Sequence, residues 1–269
     1  MPRTLQRARG DSARTAPQMR RRVIAFDLDN TLAESKSSIT VEMSGLLGRL
    51  LARFQVCVIS GGKFEQFETQ LIDHLHVAPA RLCALHVMPT CGTRYYRFDL
   101  AAGAWDQVYA EDLPADKRAT IAAALAKGAA ELGFRAATLW GEQIEDRGSQ
   151  VTFSALGQDA PVASKEAWDP DGAKKRKLRD YVAAELPEFE VRVGGSTSID
   201  VTRHGIDKAY GIKKLLELLG IEQEQLIFVG DRLEEGGNDH PVKAMGVDCL
   251  SVSGWRDSAL VIETILEVT

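Results

Sequence analysis

Three short apolar runs end abruptly in polar groups, and this recurrence constrains the fold more than any other feature of the chain. RVIAFDL (22–28) leads into Asp27 and Asp29, FQVCVIS (54–60) stops at Ser60-Gly61-Gly62, and QLIFVGD (225–231) stops at Asp231. Runs that are apolar without alternation have the pattern of strands buried on both faces. Stretches with helical apolar spacing follow the first two, over 39–53 and 63–76. This order predicts an α/β fold, a doubly wound parallel sheet with its site at the carboxyl ends of the strands.

The style changes near residue 92. TRYYRFDL (93–100) and AWDQVYA (104–110) read as antiparallel strands about a turn at 101–103. An Ala-rich helix is expected over 115–132, then the alternating stretch SQVTFSAL (149–156), a helix near 170–185, and the strands EFEVRVGG (188–195) and SIDVTR (198–203). The mixture describes an α+β insert. The earlier pattern resumes with a helix over 208–219, the strand at 225–231, a helix near 239–245, a strand at 249–253 and a helix at 257–267. The chain thus divides into a basic tail (1–21), a discontinuous Rossmann-like core (22–104 and 205–269) and an inserted cap (105–204). Hinges are expected near 103–107 and 203–206, with Gly103 and Gly205 as pivots.

The formal net charge of −5 hides an asymmetry. Residues 1–22 carry seven Arg against one Asp, so a tail of +6 precedes a body of −11. The tail reads as a solvated, disordered extension; it shares the Arg-rich, acid-poor character of mitochondrial presequences, and Met19 is an alternative start. An acidic body argues against a nucleic-acid partner, and no stretch approaches the ~20 apolar residues of a membrane span. Cys57, Cys83, Cys91 and Cys249 show no CxxC spacing, which fits a reducing, cytoplasmic setting with Cys57 in the core.

Asp27 and Asp29 flank Leu28, and residues two apart on a strand share a side. Two carboxylates this close need a cation or a shared proton, unless they simply cap the next helix. Asp231 ends another strand and Asp239 follows it; acids at two strand ends of one sheet suit Mg²⁺, although Asp239 also reads as a helix N-cap. Ser60-Gly61-Gly62 offers a hydroxyl and amides to a phosphate. A P-loop is excluded, because Cys57 stands where Gly is required and Phe64 where Ser or Thr is.

The motifs FDLDNT, VISGG, GIDKAYG and VGDRLEEGGND, in that order, resemble the haloacid dehalogenase-like superfamily of phosphohydrolases and phosphomutases. The insertion between the second and third motifs is similar to the subfamily with an α+β cap there. The resemblance implies that Asp27 is a nucleophile forming an aspartyl-phosphate and Asp29 the general acid/base. It implies that Ser60, Gly61 and Lys208 hold the phosphoryl group. Mg²⁺ would bind the Asp27 carboxylate, the Asp29 backbone carbonyl and Asp231, with Asn238 and Asp239 supporting them.

Within the superfamily, the eukaryotic-type phosphomannomutase family is similar in three segments. The long spacing from Asp231 to Asp239 is one. GGSTSIDVTRHGIDK (194–208) places Ser198 and Asp200 at sugar-hydroxyl positions, and DRGSQVTFSALGQ (146–158) places Arg147 at a phosphate-binding position. Two substrate-binding positions depart: Gln158 and Lys165 stand where those mutases have Arg, and the segment after Asp239 lacks residues for a second metal. Arg clamps phosphate bidentately, which Gln cannot do and Lys does only as a point charge. We therefore expect a Mg²⁺-dependent phosphatase acting on a phosphosugar or polyol phosphate. The alternative is a phosphomannomutase-like phosphosugar mutase. A sugar-phosphate-binding protein without turnover is a third class, which the intact Asp27, Asp29, Ser60, Lys208 and Asp231 set argues against. The expected partner is a small phosphorylated molecule, bound by a monomer or a cap-mediated homodimer.

Overall fold

Alternation along β1 (Val23–Phe26) defines two faces of one large sheet. Ile24 and Phe26 join a cluster with Met43, Leu47 and Leu50 of α1 (Val41–Leu50), Phe67 of α2 (Phe64–Gln70), and Ile262 and Leu266 of α9 (Trp255–Val268). Val23 and Ala25 join a second cluster with Ile212 and Leu215 of α7 (Lys208–Leu219) and Val242 of α8 (His240–Ala244). Helices on both faces explain why the strands read as unbroken apolar runs. The computed structural model describes residues 21–134, 136, 138–195 and 197–269; of the tail expected at 1–21, residues 1–20 lie outside the described residues. Arg21, assigned to that tail, instead donates to Leu226 O at 3.1 Å and pairs with Asp248.

The large sheet has the order β11-β10-β1-β2-β3-β4-β5. The others are β2 (Gln55–Ile59), β3 (Leu85–Met88), β4 (Arg94–Asp99), β5 (Ala104–Ala110), β10 (Leu226–Gly230) and β11 (Asp248–Ser251). β11 through β3 are parallel, and β4 and β5 are antiparallel. β3 escapes sequence reading because His86 interrupts its apolar run. That histidine is fully buried, its Nδ1 2.7 Å from the Tyr95 hydroxyl and its Nε2 2.8 Å from Gln55 Oε1. The helix expected over 63–76 ends at Gln70, because Leu71 leaves helical geometry (φ −118°, ψ −60°). A short α3 (Pro79–Leu82) was also unforeseen.

A second, antiparallel sheet has the order β6-β7-β9-β8: β6 (Ile144–Asp146), β7 (Gln150–Ser154), β9 (Ser198–Thr202) and β8 (Glu190–Val193). α4 (Ala115–Glu131) and α6 (Ala173–Glu185) cover one face, with Ile121, Leu125, Leu178 and Val182 on Val151, Phe153 and Val201. The short α5 (Val162–Trp168) was not expected. Gln150, Thr152 and Ser154 alternate to the opposite face, yet they are buried too, because that face lies over the strand ends of the large sheet.

One boundary needs correction. AWDQVYA is β5 and pairs with β4 from Arg94↔Ala110 to Asp99↔Ala104, so 105–110 belongs to the large sheet and the first crossing to the small one lies at 111–114. Gly103 (φ +67°) therefore closes a hairpin and is no pivot. Gly205 (φ +79°) does lie in the second crossing. Glu111 ties both crossings to α7, accepting from Arg203 Nη2 at 2.8 Å and the Tyr210 hydroxyl at 2.5 Å. Among the described residues no helix is long and apolar enough to cross a membrane.

Candidate active site

Asp27 follows the end of β1 and is 3% exposed. Lys208 opens α7, whose N-terminus is capped by Asp207 accepting the Tyr210 N–H at 3.0 Å. Its ammonium, 1% exposed, lies 2.5 Å from Asp27 Oδ1 and 2.6 Å from Asp239 Oδ1. Asp239 precedes α8 without capping it; its other oxygen accepts the Arg232 N–H at 3.0 Å. Asp27, Asp231 and Asp239 each offer an oxygen within 4.8 Å of the others. Asn238, expected to support this group, is exposed and makes no side-chain hydrogen bond to it among the described residues.

Burial pushes the Asp27 carboxyl up to about 8; Lys208 opposes this, while Asp239 and Asp231 add to it. Burial and Asp239 push Asp231 the same way. Burial alone would lower Lys208, but Asp27 and Asp239 outweigh it and hold the ammonium above its ordinary value. Three carboxylates face one buried cation. Their all-oxygen donor set fits a hard divalent ion such as Mg²⁺, which reverses the local logic that raises carboxylate pKa values. Asp239 already has both oxygens committed, so Asp27 and Asp231 are the carboxylates available to the ion.

The Asp29 side chain turns away from this group. It accepts the Lys36 N–H at 2.7 Å and Gln70 Nε2 at 3.2 Å on Oδ1, and Gln66 Nε2 at 2.9 Å on Oδ2. Burial raises its pKa, but the Lys36 charge and these donors outweigh that and hold it below the usual range. A general acid needs a neighbour that raises its pKa; here the neighbours do the opposite and keep Asp29 a carboxylate. Lys36, Gln66 and Gln70 were not foreseen. The two glutamines, four apart on α2, share one helix face, which is the signal that sequence reading had available.

Asp200 is buried and accepts Gln150 Nε2 at 2.9 Å and Thr152 Oγ1 at 2.7 Å. Register aligns Glu145, Thr152, Asp200 and Arg192 in one cross-strand row on the polar face. Gly194 lies against Ser198 and Asp200: an added Cβ would sit 2.8 Å from Ser198 Oγ and 2.9 Å from Asp200 Oδ2. Arg147, expected to be open to phosphate, is instead engaged. Its Nε and Nη2 reach Glu145 Oε2 at 2.7 and 2.6 Å, and its Nη1 donates to Gly61 O at 2.7 Å. Lys63 pairs with the other Glu145 oxygen at 2.8 Å. Lys165 Nζ donates to Gln158 O at 2.7 Å. Gln158 Nε2 is buried with no hydrogen-bond partner among the described residues.

A family profile described as haloacid dehalogenase-like hydrolase matches residues 159–239. A probable phosphomannomutase of Caenorhabditis elegans is 23% identical over 268 residues, covering 94% of this chain and 98% of that one. A phosphomannomutase of Babesia bovis is 24% identical over 261 residues, covering 92% and 99%. The chain is similar to haloacid dehalogenase-like hydrolases and to phosphomannomutases. Solved structures share its fold. A haloacid dehalogenase-like hydrolase from Bacteroides thetaiotaomicron superposes with a TM-score of 0.61 at 17% identity, over 91% of this chain and all of that one. An N-terminally truncated IMP-nucleotidase of Plasmodium falciparum gives 0.67 at 15%, over 93% and 71%.

Proposed function

We propose that this chain is a phosphatase for a phosphosugar or polyol phosphate, working with Mg²⁺. The observation that carries the reading is the buried Asp27 carboxylate held 2.5 Å from the Lys208 ammonium at the strand ends of a haloacid dehalogenase-like core. Asp27 attacks phosphorus, the bond to the leaving oxygen breaks, and an aspartyl-phosphate forms. Water then opens that ester, releasing phosphate and restoring Asp27. Asp29, once it swings from Lys36, Gln66 and Gln70 and takes up a proton, gives that proton to the leaving oxygen and takes one back from the attacking water. A carboxylate meeting a phosphate charge at ~4 Å is repelled by about 4 kcal/mol at an effective dielectric near 20. Lys208 offsets this and, with Ser60, stabilises the spreading charge. Bound Mg²⁺, held by Asp27 and Asp231, would supply Lewis-acid charge neutralisation.

Asp200, Thr152, Gln150 and Ser198 form a polar wall suited to a polyol. Distal phosphate binding is weakly provided, because Arg147 is neutralised by Glu145 and Gln158 is uncharged. This favours hydrolysis of a monophosphate over handling of a bisphosphate. A mutase is the second reading. The relatives' names favour it, and the Gln158 amide, buried without a hydrogen-bond partner among the described residues, lies beside Lys165, whose ammonium donates to Gln158 O. The test is to supply hexose phosphates with Mg²⁺, with and without a hexose bisphosphate, and follow free phosphate and isomer interconversion together. Phosphate release without isomerisation supports the first reading; bisphosphate-dependent isomerisation with little phosphate overturns it.

A further inference from the structure

The Ser60-Gly61-Gly62 turn is held at three successive carbonyls. Ser60 O accepts the Cys91 N–H at 2.9 Å, and Gly62 O accepts the Thr90 N–H at 2.9 Å. Both donors come from the large-sheet unit itself. They are presented by a turn in which Thr90 and Cys91 take positive φ (48° and 55°), a conformation that non-glycine residues adopt only when their surroundings hold them there. The middle carbonyl is different. Among the described residues, Gly61 O accepts only from the small-sheet unit: Arg147 Nη1 at 2.7 Å and Gln150 Nε2 at 3.3 Å.

The peptide that ends in this carbonyl has a second side. Its N–H belongs to Gly62 and donates to Ser60 Oγ at 3.3 Å. A hydroxyl that accepts there keeps its own proton free to donate elsewhere, and Ser60, buried at 5% exposure, directly follows the end of β2. The small-sheet turn carrying Arg147 is docked beyond this one bond. Ser149 Oγ lies 2.6 Å from Thr93 Oγ1 and 3.2 Å from Thr90 Oγ1. Glu145 takes two of the guanidinium's donor groups and aims the third.

We propose that Arg147 is a positioning residue for the transferred phosphoryl group: through the Gly61–Gly62 peptide it orients the Ser60 hydroxyl toward that group. This rests on the phosphoryl-transfer reading above. It assigns Arg147 to the phosphate being transferred rather than to the distal end of the substrate.

The two roles give opposite results with ligands that are too small to reach the small-sheet unit. Orthovanadate, with Mg²⁺, is titrated calorimetrically into the wild-type chain and the Glu145→Gln/Arg147→Met double variant, which removes the guanidinium without leaving Glu145 charged and buried. Turnover of a small aryl phosphate is measured alongside. Loss of one charge-assisted hydrogen bond that fixes the peptide predicts about tenfold weaker orthovanadate binding or more, with kcat for the aryl phosphate falling and KM nearly unchanged. Orthovanadate affinity and aryl phosphate kcat within twofold of wild type, with KM rising only for a hexose phosphate, overturn the assignment but leave the phosphoryl-transfer reading standing. A wild-type chain that binds no orthovanadate overturns both. Should the double variant fail to fold, Arg147→Lys carries the test, since one ammonium cannot serve Glu145 and Gly61 O with the same geometry. Orthovanadate binding at least threefold weaker supports the proposal, and unchanged binding overturns it.

Discussion

Buried neutral in a parallel strand, His86 makes stability depend on acidity. Its ring is fully enclosed between Tyr95 and Gln55, with Arg97 Nη1 3.3 Å from Nδ1. Burial, and then the Arg97 charge, push its pKa down to about 3 from an ordinary 6.5. Between these values the unfolded chain binds a proton that the folded chain refuses, so stability rises with pH across this window and is lost as pH falls from 6.5 toward 3. At pH 5 the ordinary histidine lies about 1.5 pH units into that window, and at ~1.36 kcal/mol per unit the folded state loses about 2 kcal/mol relative to pH 7. The assay is urea denaturation at pH 5, 6 and 7 for the wild-type chain and His86→Gln, which retains one donor and one acceptor for Gln55 and Tyr95. The variant is expected to be less stable at pH 7, yet to lose about 2 kcal/mol less than wild type on going to pH 5. Parallel pH dependences for the two proteins would refute the reasoning.

Asp27→Asn should abolish phosphate release while leaving the thermal midpoint level or higher, because it removes a carboxylate that burial and its neighbours disfavour; residual turnover above background would exclude Asp27 as nucleophile. Gly211→Ala should destabilise by roughly 1–3 kcal/mol through overpacking despite the gain in helix propensity. Its Cβ would fall 2.5 Å from Ile59 Cδ1 and 2.6 Å from the Cys91 carbonyl, and a thermal melt several degrees lower checks it. Mg²⁺ at about 100 times its dissociation constant should stabilise the chain by about 2.7 kcal/mol, read as a higher thermal midpoint that Asp231→Asn abolishes. Chelation should remove the activity, and added Mg²⁺ should restore it.

The large sheet was legible in the sequence because strands buried on both faces must be apolar along their whole length, and only a polar end interrupts them. The same logic located Asp27, Ser60, Asp231 and the split of the core, since strand ends meet at one edge of a parallel sheet. Where a buried polar group broke the pattern, as His86 does in β3, the reading failed: its partners Gln55 and Tyr95 lie on neighbouring strands, distant in sequence. The hairpin of β4 and β5 was recognised locally but its second strand was assigned to the wrong unit, because alternation reports how a strand is faced and not which sheet it joins.

Local pattern therefore determined which residues lie at the strand ends and which types of group they carry. Tertiary structure alone decided what each of those groups touches. Asp239 reads as a helix cap, but it anchors Lys208, 31 positions away. Asp29 reads as the partner of Asp27, but Lys36, Gln66 and Gln70 turn it aside. Arg147 reads as a free phosphate ligand, but Glu145 neutralises it and Gly61 receives it. The physical reason is common to all three: a charge taken out of water must find an opposite charge or a donor nearby, and folding, not chain order, supplies that neighbour.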